Sequence, residues 1–221
     1  MFFSITLVDI NARLVRAWQE AFADLPEVQV VHGSILQLQT DAWVTPTNVR
    51  ARMDGGVDAV MKRYFGDTIE KRVQREINCR HGGRLPVGRA TCVSTGGLHV
   101  PPGGHQPRYL VSAPTMCASS QDVSATDNVA WATAAAFQAV TMRNAADPGS
   151  VRSLALPGLG AATGRVQPRD CADQMYAVYQ FFRERQFEDF DEMACGLASY
   201  LGDEPPKPPR RERRKRLLGI F

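Results

Sequence analysis

The sequence predicts a three-layer α/β/α sandwich, with a mostly parallel mixed sheet between two helical faces. Three observations carry that prediction. Short apolar runs alternate with longer stretches of helical period, the mark of strand–helix–strand units. Runs such as Ala42-Trp43-Val44 and Leu154-Ala155-Leu156 are apolar at successive positions, as strands covered on both faces must be. Each of those two runs leads into a glycine-rich loop, and ligands of open α/β sheets bind at that carboxyl edge.

The elements follow in order. Ser4 to Val8 is the first expected strand. Asn11 to Ala23 is an amphipathic helix, because Leu14, Trp18 and Phe22 recur four residues apart on one face. Asp9 ends the first strand and is expected to cap this helix, the alternative being a place beside the ligand. Val28 to Val31 and Ala42 to Thr45 are the next strands. Val57 to Asn78 is a pair of helices broken near Gly66-Asp67. Ala90 to Ser94 and Tyr109 to Ser112 are strands on either side of a Gly/Pro-rich loop. Ser124 to Asn144 is helical, and Ser124-x-x-Asp127 is close to a capping box at its start. Ser153 to Leu156 is the last strand and Arg169 to Arg185 the last helix. After Gly202 the composition changes: Asp203 to Pro209 holds four prolines, which cannot build a helix interior. The expected division is one domain over 1–202 and a Pro-rich, basic, disordered tail over 203–221.

Composition narrows the function classes. No apolar run approaches the roughly 20 residues that span a bilayer, so no membrane span is expected. The cysteines, Cys79, Cys92, Cys117, Cys171 and Cys195, are odd in number and scattered, without a Cys-x-x-Cys pair. That argues against a zinc site or a disulfide framework and for a reducing, cytoplasmic setting. The net charge of +3 belongs to the tail. Residues 207–216 hold seven Lys/Arg and one Glu; taking these from 26 basic and 23 acidic residues leaves 19 and 22, a net −3. The tail therefore suits a polyanion such as nucleic acid or an acidic membrane, or is a solvated end with no partner. The body shows no basic excess for duplex nucleic acid. His32, His81, His99 and His105 lack metal-ligand spacing, and no Walker loop or Gly-x-Ser-x-Gly elbow occurs. No metal and no cofactor are expected.

The two glycine loops carry the chemistry. The first runs from Thr47 to Asp58 and opens a helix; the second runs from Leu156 to Gly164. Glycine lets backbone N–H groups approach an anion, and a helix start adds its positive dipole end. A diphosphate between the loops would be cradled by Gly55, Gly56 and Val57 on one side. Gly158, Leu159, Gly160, Ala161, Ala162, Thr163 and Gly164 would face it on the other. Asn48 lies just past a strand, and its amide can donate to and accept from a ribose hydroxyl; the alternative is a turn Asn bonding its own backbone. Asp58 can take a proton from water, or it can be a first-turn carboxylate stabilised by the helix dipole. Asp54 is a weaker candidate for the same work.

These residues, in this order, resemble the macro domain family. Gly33-Ser34-Ile35 matches its Gly-Asp-Ile turn, Thr45-Pro46-Thr47-Asn48 its Asn-Ala-Ala-Asn stretch, and Gly55-Gly56-Val57-Asp58 its Gly-Val-Asp close. Pro86-Val87-Gly88-Arg89-Ala90 and Pro157 to Gly164 match two further motifs, so the likeness runs over roughly residues 28 to 185. The resemblance implies a macro-like fold and ADP-ribose as the ligand. It implies Asn48 at the distal ribose, Asp58 as the residue that positions or activates water, and Ser34 and Ile35 at the adenine. The departures bear on adenine recognition and affinity. Serine replaces the aspartate that holds the adenine amino group, Thr45 replaces an asparagine, and Ala162 stands where glycine is usual and resists a positive φ.

Three functions compete. The leading one is hydrolysis of an ADP-ribose conjugate, on protein or small molecule, at the distal ribose. The second is a non-catalytic ADP-ribose reader. The third is a methyltransferase-like adenosine site at Leu7-Val8-Asp9, for which the required glycine loop would fall before residue 1.

Overall fold

A computed structural model describes residues 3–202. The boundary expected at 202 and the basic tail beyond it lie outside the described residues. Among the described residues six strands form one sheet: β1 (Ser4–Asp9), β2 (Val28–His32), β3 (Ala42–Asn48), β4 (Thr91–Ser94), β5 (Tyr109–Met116) and β6 (Ser153–Leu156). Their order is β2-β1-β6-β3-β5-β4, with only β4 antiparallel to its neighbour. Six α-helices of the described residues surround it: α1 (Ala12–Ala21), α2 (Gly56–Phe65), α3 (Thr68–His81), α4 (Asn128–Ala146), α5 (Pro168–Arg183) and α6 (Phe190–Leu201).

The strand alternation divides the core into two layers. Leu154 and Leu156 of β6, Ala42 and Val44 of β3, and Val111 and Ala113 of β5 pack with α1, α4, α5 and α6. Ala155, Trp43 and Leu110 point the other way, onto α2 and α3. The sandwich expected from the sequence is therefore the fold. β6 lies at its centre, parallel to β1 on one side and to β3 on the other. Among the described residues no helix is long and apolar enough to cross a membrane.

Four local readings are corrected. α1 is capped by Asn11, whose side chain accepts from Arg13 N, not by Asp9. Asp9 instead bridges, accepting from Asn11 N at 2.8 Å and from Gly158 N at 3.0 Å. α4 starts at Asn128 rather than Ser124, because Asp122 captures both the backbone N–H and the hydroxyl of Ser124. α5 is not the last helix: α6 follows, capped by Asp189, which accepts from Asp191 N and Glu192 N. β3 and β5 also run further than expected, to Asn48 and Met116, which carries both strand ends to the same edge.

Candidate functional site

That edge holds two neighbouring cavities. The larger, about 300 Å³, is lined by the β3 end (Pro46, Thr47, Asn48), the first loop and α2 start (Arg52, Asp54 to Asp58), and the second loop. Its far wall comes from the β5 end and the following turn, Thr115, Met116, Ser119 and Ser120. The smaller, about 110 Å³, is lined by the β1 end, Gly33-Ser34-Ile35, Val57, Val60 and Pro157. Val57 faces both, so one aliphatic side chain is their shared wall.

Most of the expected ligand residues meet here. Gly55, Gly56, Val57, Gly158, Gly160, Ala162, Thr163 and Gly164 line the larger cavity, and Ser34 and Ile35 the smaller. Leu159 and Ala161 line neither. Leu159 is fully buried in the core, and its carbonyl accepts from Cys171 Sγ; Ala161 packs against the same core. Ala162 needs no left-handed backbone, since the positive φ of that loop falls on Gly160 and Arg165, so its resistance to a positive φ causes no strain there. Ser34 caps a single 3₁₀ turn, Ile35–Gln37, and its hydroxyl accepts from Leu36 N. Met116 serves both core and cavity.

The polar groups are unevenly engaged. Asn48 Oδ1 accepts from Arg50 N at 3.1 Å and Arg52 N at 3.4 Å, while Nδ2 donates to Arg52 O at 3.0 Å. This is the turn asparagine bonding its own backbone, and it stands in the cavity wall as well. Asp58 is 3% exposed and accepts from Thr45 Oγ1 at 2.5 Å. Burial pushes its carboxyl up to about 7, against the opposing pull of the Thr45 and Thr47 hydroxyls. Thr47 Oγ1 lies near Asp58 without forming a hydrogen bond of ordinary geometry. Thr115 Oγ1 is likewise buried without a partner among the described residues, and both threonines line the larger cavity. Buried hydroxyls are rarely left unpaired, so Thr115 is available to a polar ligand, whereas Thr47 already acts on Asp58.

Two glycine loops framing a cavity at the parallel edge are what the sequence motifs predicted, and a family comparison decides among folds of this kind. The family model for the Macro domain matches residues 44–175. The chain belongs to the Macro domain family.

An uncharacterised protein of Aquifex aeolicus (strain VF5) is 30% identical over 162 residues, 73% of this chain and 86% of that protein. Among solved structures, the macrodomain of Mycobacterium tuberculosis DarG matches with a TM-score of 0.53 at 21% identity, over 68% of this chain and 88% of that one. The Oceanobacillus iheyensis macrodomain with ADP matches with a TM-score of 0.53 at 16% identity, over 77% and 89%. At such identities the structures speak for the fold.

This Macro domain also places side chains in the cavity that the sequence reading missed. Arg52, Ser119 and Ser120 line it, and Ser119 Oγ donates to Asp54 Oδ1 at 3.2 Å. Ser119 lies 65 residues from Asp54, so no local motif could have paired them. Ser120 holds a left-handed φ of 63°, a strained backbone for a residue with a side chain. Strained residues cluster at ligand-binding turns, and that turn was the available signal once the fold was known.

Proposed function

We propose that this Macro domain binds ADP-ribose, its adenosine in the smaller cavity and its diphosphate and distal ribose in the larger. One observation carries the reading. The two cavities adjoin through Val57, and the larger combines the α2 start with the Thr115 hydroxyl, unpartnered among the described residues. An anion at a helix start meets free N–H groups and the positive dipole end. The Oceanobacillus iheyensis macrodomain has been solved with ADP and, as a variant, with ADPR, which supports the same ligand here.

The finer proposal is hydrolysis of an ADP-ribose conjugate at the distal ribose, with water oriented by Asp58 or by a ligand phosphate. The non-catalytic reader is favoured by a specific observation. The Asn48 amide is already bonded to its own loop, and the Asp58 carboxyl is buried against Thr45. A cytoplasmic setting and polyanion contact by the 203–221 tail belong to the same proposal and rest on sequence alone.

Calorimetry with ADP-ribose, against ADP and S-adenosylmethionine, tests the ligand. Micromolar affinity for ADP-ribose, about −8 kcal/mol, is expected. Absence of heat and of any rise in Tm at saturating ADP-ribose sinks the reading, and heat with S-adenosylmethionine alone revives the methyltransferase alternative. Release of free ADP-ribose from an ester-linked conjugate separates enzyme from reader.

A further inference from the structure

The smaller cavity is poor in groups that could read a nucleobase. Among the described residues its lining holds one carboxylate, Asp9, and one hydroxyl, Ser34; its other side chains are hydrocarbon. Both Asp9 oxygens are turned to the backbone, Oδ1 accepting from Asn11 N at 2.8 Å and Oδ2 from Gly158 N at 3.0 Å. The carboxylate thus ties the turn after β1 to the second loop. Ser34 Oγ accepts from Leu36 N at 3.3 Å. That leaves its proton and one lone pair, so the hydroxyl can donate to an oxo group or accept from an amino group.

The apolar part of the lining is held in place. Val57 and Val60 stand three residues apart on one face of α2. Opposite elements supply Ile35 and Pro157, and Ile10 comes from the turn between β1 and α1. His32 Nε2 donates to Ile10 O at 3.2 Å, which fastens that turn to the end of β2. Ile10 is 77% exposed, more than any other large hydrophobic side chain of the described residues. A flat ring entering the cavity covers that side chain and takes it out of water.

We infer that this cavity takes a purine by its apolar faces and does not select the group at the purine's 6-position. The inference rests on the ADP-ribose reading, which puts the adenosine here, and it widens the ligand class to nucleoside diphosphate riboses with a 6-amino or a 6-oxo purine. A site rejects an analogue strongly when that analogue leaves one of the site's own buried polar groups unpaired. Exchange of amino for oxo leaves none unpaired here: Asp9 keeps its two N–H donors, and Ser34 turns its proton. Ile10 supplies the closing contact and sets affinity for both bases alike.

The test is calorimetry of the full chain with ADP-ribose and with inosine diphosphate ribose, which carries the 6-oxo purine. Affinities within about threefold of each other are expected. In Ile10→Ala both should weaken by about fivefold or more, with Tm unchanged because the side chain is exposed. In Ser34→Asp the carboxylate caps the same turn and keeps an oxygen free for an amino group, so preference for ADP-ribose should rise about fivefold. A wild-type preference above about threefold for either ligand overturns the inference. Normal binding of both by Ile10→Ala, or an unchanged ratio in Ser34→Asp, overturns it as well, because either places the base away from these side chains. Absence of heat with both ligands overturns the parent reading instead, and this inference with it.

Discussion

The two glycine loops have similar composition and opposite reasons for it. In the first, a Cβ at Gly55 would meet nothing within 4 Å, and one at Gly56 would meet only Thr163 Oγ1 at 3.5 Å. In the second, a Cβ at Gly158 would stand 2.3 Å from Leu14 Cδ2 and 3.0 Å from Asp9 Oδ2. One at Gly164 would stand 2.7 Å from Gly160 O and 2.7 Å from Val123 Cγ2. The first loop is open toward the cavity; the second is closed onto the protein. A glycine-rich sequence shows that something approaches the backbone closely, and only packing shows whether that is a ligand or the fold itself.

The largest effect is expected in the second loop. Gly164→Ala drives a methyl group into a backbone carbonyl that cannot rotate away, and should cost about 3 kcal/mol, as overpacking does. Gly158→Ala should cost nearly as much, since Leu14 is fully buried. Urea unfolding at unchanged m-value is the measurement. A loss below about 1 kcal/mol would erase the contrast between the loops.

The next effect concerns the residue beneath the first loop. Asp58 has a folded-state carboxyl raised to about 7, above its unfolded value. The folded state therefore binds more protons between the two values, so stability falls as pH rises from about 4 toward 7 and levels off above. Asp58→Asn keeps a group of similar shape beside Thr45 and removes that proton. It should flatten the pH profile and raise stability at pH 8 by about 2 kcal/mol. An unchanged slope of Tm against pH between 4 and 7 would show that another group dominates.

The smallest stability effects are expected in the open loop. Gly56 has a φ of 53°, so Gly56→Ala should cost about 1 kcal/mol for left-handed backbone. Gly55 has an ordinary extended φ of −153°, and Gly55→Ala should cost about 0.5 kcal/mol as a poorer helix cap. Calorimetry should show the reverse ranking of consequences, with ADP-ribose affinity impaired in a protein of near-normal Tm. A Gly55→Ala variant that unfolds early but binds normally would move the first loop into the same class as the second.

Much of the fold was legible because burial on both faces writes long apolar strands. β6 is read to the residue from Ser153 to Leu156. β3 was cut short because Pro46, Thr47 and Asn48 have the composition of a turn, although all three pair with β5. α6 was legible and overlooked: Phe190, Met193, Ala194 and Leu197 recur at helical spacing between Asp189 and Gly202. The late start of α4 was not legible, because it depends on which neighbour Asp122 captures. At the site, position was readable and orientation was not. The motifs brought Asn48, Asp58 and the glycines to one edge, but Asn48 folds its amide onto its own loop and Leu159 turns into the core. Side-chain direction depends on contacts between distant segments, which no local spacing encodes.

The place of β6 in the sheet has a consequence for how the chain is made. β2 and β1 form one strand pair, and β3, β5 and β4 form a second set; only the four residues of β6 join them. Both groups of partners precede Ser153 in the chain, so neither can complete its pairing until about seven-tenths of the sequence has been made. The Asp9–Gly158 bond, spanning 149 residues, closes across the same seam. One short strand, late in the sequence, thus joins the two halves of the sheet and of the cavity edge.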